Sequence, residues 1–280
     1  MSKSGKNIPF LLSLLLLLAY ISFQLLNRSE PVNSQNQTYI DPPTIFVHGY
    51  KGTYNSFNGM LNRFEYNYHW GHRVLICKVA KNGHLFVNGH IPNDSHRMFI
   101  QVVFENNRAS FQDTSHWLSE VMLLLKERYG IENVNIVGHS MGGIISTKFL
   151  LDHGNQLRYP KVEKLVTIGS PFLGIDQSSY FKVNSGPAAL DLKPGSKALQ
   201  DLWRKSNHFP PDVKVLAIAG KGDQVVNISS ALSIRRMVPR HNYQDKIVQN
   251  VQVTHSGLHE STEVDHFIGT FLWGLTPFTH

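Results

Sequence analysis

The stretch "VNIVGHSMGG", residues 134–143, sets one serine between glycines directly behind a short apolar run. The run "NVNIVGH" (133–139) reads as a strand covered on both faces. "MGGIISTKFLLDHG", which follows as far as Gly154, has the spacing of a helix. A strand that passes into a helix through one residue must reverse sharply, and that residue is forced into strained backbone geometry. Gly138 and Gly142 leave room for the turn, so Ser140 is expected to project at the top of the sheet. Gly-x-Ser-x-Gly is a weak signal alone. Its place between strand and helix makes Ser140 a candidate nucleophile.

Outward from that turn, from Pro43 on, apolar runs alternate with longer stretches of helical period. The strands are expected at 44–49, 72–80, 98–105, 133–139, 162–170, 213–220 and 246–254. This is the pattern of an α/β domain with a mostly parallel central sheet and helices on both faces. One amphipathic helix is expected over 110–130, with Trp117, Val121, Leu124, Leu125 and Arg128 at spacings of three or four, and another over about 260–273. Residues 81–94 read as a hairpin or loop insert. Residues 176–211, rich in Ser, Pro, Gly and Asn, read as a cap-like excursion over the sheet's C-terminal edge. Tyr180, Phe181, Leu190, Leu192, Trp203 and Phe209 could roof an acyl pocket there or simply pack on the sheet edge.

A serine hydroxyl is a poor nucleophile unaided, so it needs a base, an orienting acid and donors for the oxyanion. In a sheet with such an elbow they follow in chain order Ser, Asp or Glu, His, each after a strand. Asp223 lies three residues past the apolar "VKVLAIAG", whereas Asp212 precedes that strand and sits at its wrong end. Two histidines, His255 and His259, contend for the base. His255 is preferred because it comes at the end of the last expected strand, while His259 reads as capping the final helix or lining the pocket. The oxyanion donors are expected to be the main-chain N–H of Met141, at a helix N-terminus, and that of Tyr50 in "HGYKG". His48 reads as structural. No metal-binding spacing of histidines is present, and no metal is expected.

The chain has 280 residues, 41% of them hydrophobic, with a formal net charge of +7. Residues 44–280 suffice for a single buried core. Residues 1–26 are set apart: Lys3 and Lys6 precede an uncharged stretch from Ile8 to Leu26, which reads as a signal peptide or an uncleaved membrane anchor with its N-terminus inside. Residues 27–43, polar and ending in two prolines, read as a flexible linker that would reach ~20–25 Å as a coil. The domain is therefore expected outside the cytoplasm, anchored or secreted, with the membrane as partner through its N-terminal segment. Cys77, the one cysteine, reads as a buried hydrophobe, so stability must come from packing rather than disulfides. Lys and Arg are scattered, and no nucleic-acid module is present. The positive charge suits an anionic envelope or lipid surface, or marks no more than a mildly basic surface.

Together, "PTIFVHGYKGTYNSFNGML", "VNIVGHSMGG", "LVTIGSPFLGI", "VLAIAGKGD" and "HSGLHESTEV" resemble the provisionally assigned cell-surface α/β-hydrolases of Gram-positive bacteria, lipase- and carboxylesterase-like serine hydrolases. The resemblance covers roughly residues 41–273. In small lipases of this arrangement the catalytic histidine precedes a valine by nine residues, a spacing that His255 and Val264 share, and this supports His255. The acid loop "GDQVV" lacks a glycine that related loops carry before the valine pair. The resemblance implies an α/β-hydrolase fold, carboxylesterase activity, no cofactor and an extracytoplasmic location; the substrates are expected to be short or medium acyl esters, small-molecule or lipid. An acyltransferase, thioesterase or envelope deacylase would use the same groups. A surface protein that binds a partner on a hydrolase scaffold is the alternative of another class.

Overall fold

Strand β1 (Thr44–Val47) shows why the strands lack alternation: all four of its residues are buried. Ile45 and Val47 enter the core on one face of the sheet and Phe46 the core on the other. The Phe46 ring meets Phe57, Phe64 and Phe99 edge-on at centroid distances of 5.4, 6.2 and 5.7 Å. In the computed structural model the described residues are 41–92 and 97–276, with the isolated position Leu17. The expectations for residues 1–26 and for the linker up to residue 40 lie outside them. Among the described residues no helix is long and apolar enough to cross a membrane.

Among the described residues seven further strands join β1: β2 (His72–Val79), β3 (Leu85–Gly89), β4 (Met98–Phe104), β5 (Asn133–His139), β6 (Lys161–Ile168), β7 (Lys214–Gly220) and β8 (Tyr243–Val248). Their order in the sheet is β3-β2-β4-β1-β5-β6-β7-β8. β3 alone runs antiparallel, forming the hairpin insert with β2. Every other neighbouring pair is parallel, so the loops that carry chemistry gather at one rim. The fold is the α/β-hydrolase fold read from the sequence.

Helix α1 (Asn55–Asn62), which the sequence reading does not contain, continues through a wider turn over Arg63–Asn67. Gly59 and three asparagines weaken its intrinsic propensity. It is held by its buried face, Phe57, Met60, Leu61 and Phe64. Helix α2 (Phe111–Tyr129) matches its expected span, capped by the Ser110 side chain at one end and left-handed Gly130 at the other. Helix α3 (Met141–His153) follows β5, and 176–211 contains α4 (Tyr180–Val183), α5 (Pro187–Asp191) and α6 (Lys197–Arg204). A short α7 (Ile228–Ala231) follows β7, and α8 (Thr262–Trp273) closes the domain.

The expected end of the last strand is corrected. The last strand ends at Val248, not at residue 254. The Asn250 side chain accepts from the Gln252 N–H at 2.9 Å and its carbonyl from the Val253 N–H at 3.1 Å, a local turn that outcompetes extension of an edge strand. His255 therefore lies beyond a turn rather than at a strand end. Within the excursion, Leu192 and Phe209 are buried in the core and the Trp203 indole donates to the Phe172 carbonyl at 2.9 Å, so these side chains pack inward. Cys77 is buried on β2, and burial pushes its thiol up to about 12.

Candidate active site

At the junction of β5 and α3, Ser140 has φ 55° and ψ −127°, a conformation that few non-glycine residues adopt. Its N–H donates to the Ile168 carbonyl of β6 at 2.8 Å, which fixes the turn. A side chain on Gly142 would run into the Val47 carbonyl, so helix and sheet approach as closely as backbone allows. The loop after β1 lies on the same turn: a Cβ on Gly49 would come within 2.8 Å of Ser140 Cβ and 3.1 Å of Met141 N. Neither the Met141 nor the Tyr50 main-chain N–H has an acceptor among the described residues.

Ser140 Oγ donates to His255 Nε2 at 2.9 Å, and His255 Nδ1 donates to Asp223 Oδ2 at 2.7 Å. Asp223, in the loop after β7, is held by its other oxygen, which accepts from the Val225 and Val226 N–H groups at 2.9 Å each. The carboxylate is 1% exposed and the imidazole 14%. With Nδ1–H given to the carboxylate, Nε2 keeps its lone pair for the serine proton. The structure thus brings together the three side chains expected from sequence, with the Met141 and Tyr50 segments beside them.

Three more histidines surround this line. His48 is fully buried at the end of β1; its Nδ1 donates to the Gly49 carbonyl at 2.9 Å and its Nε2 accepts from the Phe104 N–H at 2.9 Å. Burial lowers it to about 4, so it is neutral and structural. His139 donates from Nε2 to the His255 carbonyl at 3.0 Å, its ring 4.8 Å from that of His255 and 4.7 Å from that of His259. Burial, then the neighbouring imidazoles, hold it well below the ordinary histidine range. His259 lies in a turn of 3₁₀ helix, Ser256–Glu260, ahead of α8.

Arg63 and Asp265, which the sequence reading passed over, fasten that turn to α1. Arg63 donates from Nε to Asp265 Oδ2 at 2.5 Å and from a terminal nitrogen to Oδ1 at 3.0 Å. It also reaches Glu260 and the His259 carbonyl, each at 3.1 Å. Burial pushes the Asp265 carboxyl up, against the pull of Arg63. The spacing of Phe57, Met60, Leu61 and Phe64 is the signal that would have found α1 and, in the wider turn that continues it, Arg63.

A hollow of about 330 Å³ opens over Ser140 and His255, bordered by Tyr50, Ser56, Tyr180, Asn184, Val225 and His259. Of the six excursion side chains considered as a roof, Tyr180 alone borders it. A larger hollow of about 570 Å³ lies between α2, α3 and α6, where Lys148, Lys197, Arg204 and Lys205 pair with Asp152 and Asp201; it contains none of the three aligned side chains. Among the described residues no group of three or more His, Cys, Asp or Glu is placed to hold a metal ion.

The family model described as "Alpha/beta hydrolase of unknown function (DUF915)" matches residues 30–275, and the chain belongs to that family. Among solved structures, the product of gene lin2722 of Listeria innocua is 27% identical with a TM-score of 0.71, over 85% of this chain and 96% of that one. A provisionally assigned cell surface hydrolase of Lactobacillus plantarum is 21% identical with a TM-score of 0.67, over 85% and 93% of the two chains. Lipase BlEst2 of Bacillus licheniformis in its mature form shares the fold at 18% identity and a TM-score of 0.53, over 87% and 96%. No curated protein matches the chain.

Proposed function

For a chain of this α/β-hydrolase family, we propose the activity of a serine hydrolase that cleaves carboxylic esters. The observation that carries the proposal is the unbroken line from Ser140 Oγ through the His255 ring to Asp223, with 2.9 and 2.7 Å steps. In this reading Ser140 Oγ bonds to the ester carbonyl carbon while its proton passes to His255 Nε2. Asp223 stabilises the imidazolium and holds its tautomer. The Tyr50 and Met141 N–H groups donate to the developing oxyanion, each donor worth ~3–4 kcal/mol in the transition state. Collapse breaks the bond to the alcohol oxygen, which leaves with the proton from His255. Water, deprotonated by the same imidazole, then releases the acid from Ser140.

The uncharged stretch Ile8–Leu26 behind Lys3 and Lys6 would carry this domain to the outer face of the membrane, as anchor or as signal. The name of the Lactobacillus plantarum protein supports the same location. Labelling of the purified protein by a fluorophosphonate, abolished in Ser140→Ala, tests the chemistry. Folded protein that takes no label and turns over no p-nitrophenyl ester would instead belong with partner-binding proteins on a hydrolase scaffold.

A further inference from the structure

The hollow over Ser140 is lined by Val225 and by the rings of Tyr50 and Tyr180, whose centroids stand 6.3 Å apart. Ser56, at the start of α1, and His259 line it as well. Several contacts hold the His259 ring in place. It stands edge-on to His139 at 4.7 Å and tilted against Phe57 at 6.1 Å, and its main-chain carbonyl is fastened by Arg63. Its Nδ1 donates to Glu260 Oε1 at 3.0 Å, while Arg63 occupies the other oxygen of that carboxylate. The pairing fixes the tautomer: with the proton on Nδ1, Nε2 is a lone-pair acceptor, and no described residue donates to it. Ser56 complements it, since Ser56 Oγ already accepts from the Thr53 N–H at 3.0 Å and its own proton remains to be donated. An acceptor and a donor left over beside one nucleophile match a group that both donates and accepts, which a hydroxyl does.

We propose that His259 Nε2 and the Ser56 hydroxyl form a subsite for a substrate hydroxyl, so that the esters cleaved are short-acyl esters of a polyhydroxylated alcohol such as glycerol or a sugar. The inference rests on the serine-esterase reading of Ser140 and narrows it. The small hollow agrees on the acyl side: at about 330 Å³, with Val225 as the aliphatic side chain on its border, it offers little apolar surface to a long chain. Such a chain would also desolvate Ser56 and His259 without giving them partners.

The test compares two acetates of matched size, 1-monoacetylglycerol and n-propyl acetate, using the full chain and following acid release by pH-stat. The hydroxylated ester should be favoured by about tenfold or more in kcat/KM. H259F should bring that ratio close to one, chiefly through KM for the glycerol ester. H259Q, which restores an acceptor, should recover most of the preference, and thermal melts of both variants separate folding losses from lost recognition. Equal kcat/KM for the two esters, or an H259F variant that lowers both alike, overturns the subsite. Failure to hydrolyse either ester while Ser140 takes a fluorophosphonate overturns the subsite alone. Absence of labelling removes the serine-hydrolase reading with it.

Discussion

The loop after β1 and the turn after β8 bring a histidine to the same rim and hold it by opposite means. His48 is clasped by main-chain groups of its own loop and of Phe104, out of contact with water. His255 stands partly exposed, and the turn that carries it is fastened by side-chain charges from across the chain, Arg63 against Asp265 and Glu260. A neutral imidazole with both nitrogens satisfied by backbone is a structural pin. One left between a carboxylate and a hydroxyl can move a proton. The burial of each ring and the partners of its nitrogens separate the two roles.

The contrast breaks most visibly in catalysis. His255→Ala, like Ser140→Ala, should lower kcat for p-nitrophenyl acetate by about 10⁶-fold with an unchanged melting temperature. An active His255→Ala paired with an inactive His259→Ala would reassign the base. The fastening comes next. Arg63→Met leaves the fully buried Asp265 carboxylate without its partner and should lower unfolding free energy by about 3–5 kcal/mol in urea titrations. Loss of activity in that variant should follow displacement of the 255–260 turn.

The pin has its own signature in pH. Unfolded, the His48 imidazole takes a proton near its ordinary 6.5; buried, it does so only near about 4. Between those values the unfolded chain binds the extra proton, so stability is fully present above pH 6.5 and declines as pH falls toward 4, by about 3 kcal/mol over the window. His48→Gln, melted across that range, should show a shallower decline than the parent. The smallest effect concerns the excursion. The Tyr50 hydroxyl donates to the Ser185 carbonyl at 2.7 Å and accepts from the Ser185 N–H at 3.0 Å. Tyr50→Phe should cost about 1 kcal/mol of stability, read as a lowered melting temperature.

The same contrast explains what could be read in advance. The elbow at Ser140 and the placing of Asp223 and of the Tyr50 loop beside it follow directly from local patterns: an apolar strand, then glycines or a turn, within a few residues. The strands through the middle of the sheet are legible because both faces are covered and their apolar runs are continuous. β8 is an edge strand, half exposed, and its apolar residues run on past Val248 into Val251 and Val253, so its end is misplaced by periodicity alone. Arg63 and Asp265 are 202 positions apart and each looks like an ordinary surface charge until α1 is seen against α8. His259 is legible as a pocket candidate, but its acceptor nitrogen depends on Glu260 and Arg63, a relation that no local pattern carries.

Cys77 has a practical meaning beyond packing. The lone thiol is sealed inside β2 and its acidity is suppressed to about 12, which leaves almost no thiolate for oxidants or alkylating reagents at neutral pH. Hydrolysis should thus proceed alike in reducing and oxidising media, and a cysteine engineered at the surface could be dye-labelled without a competing native site.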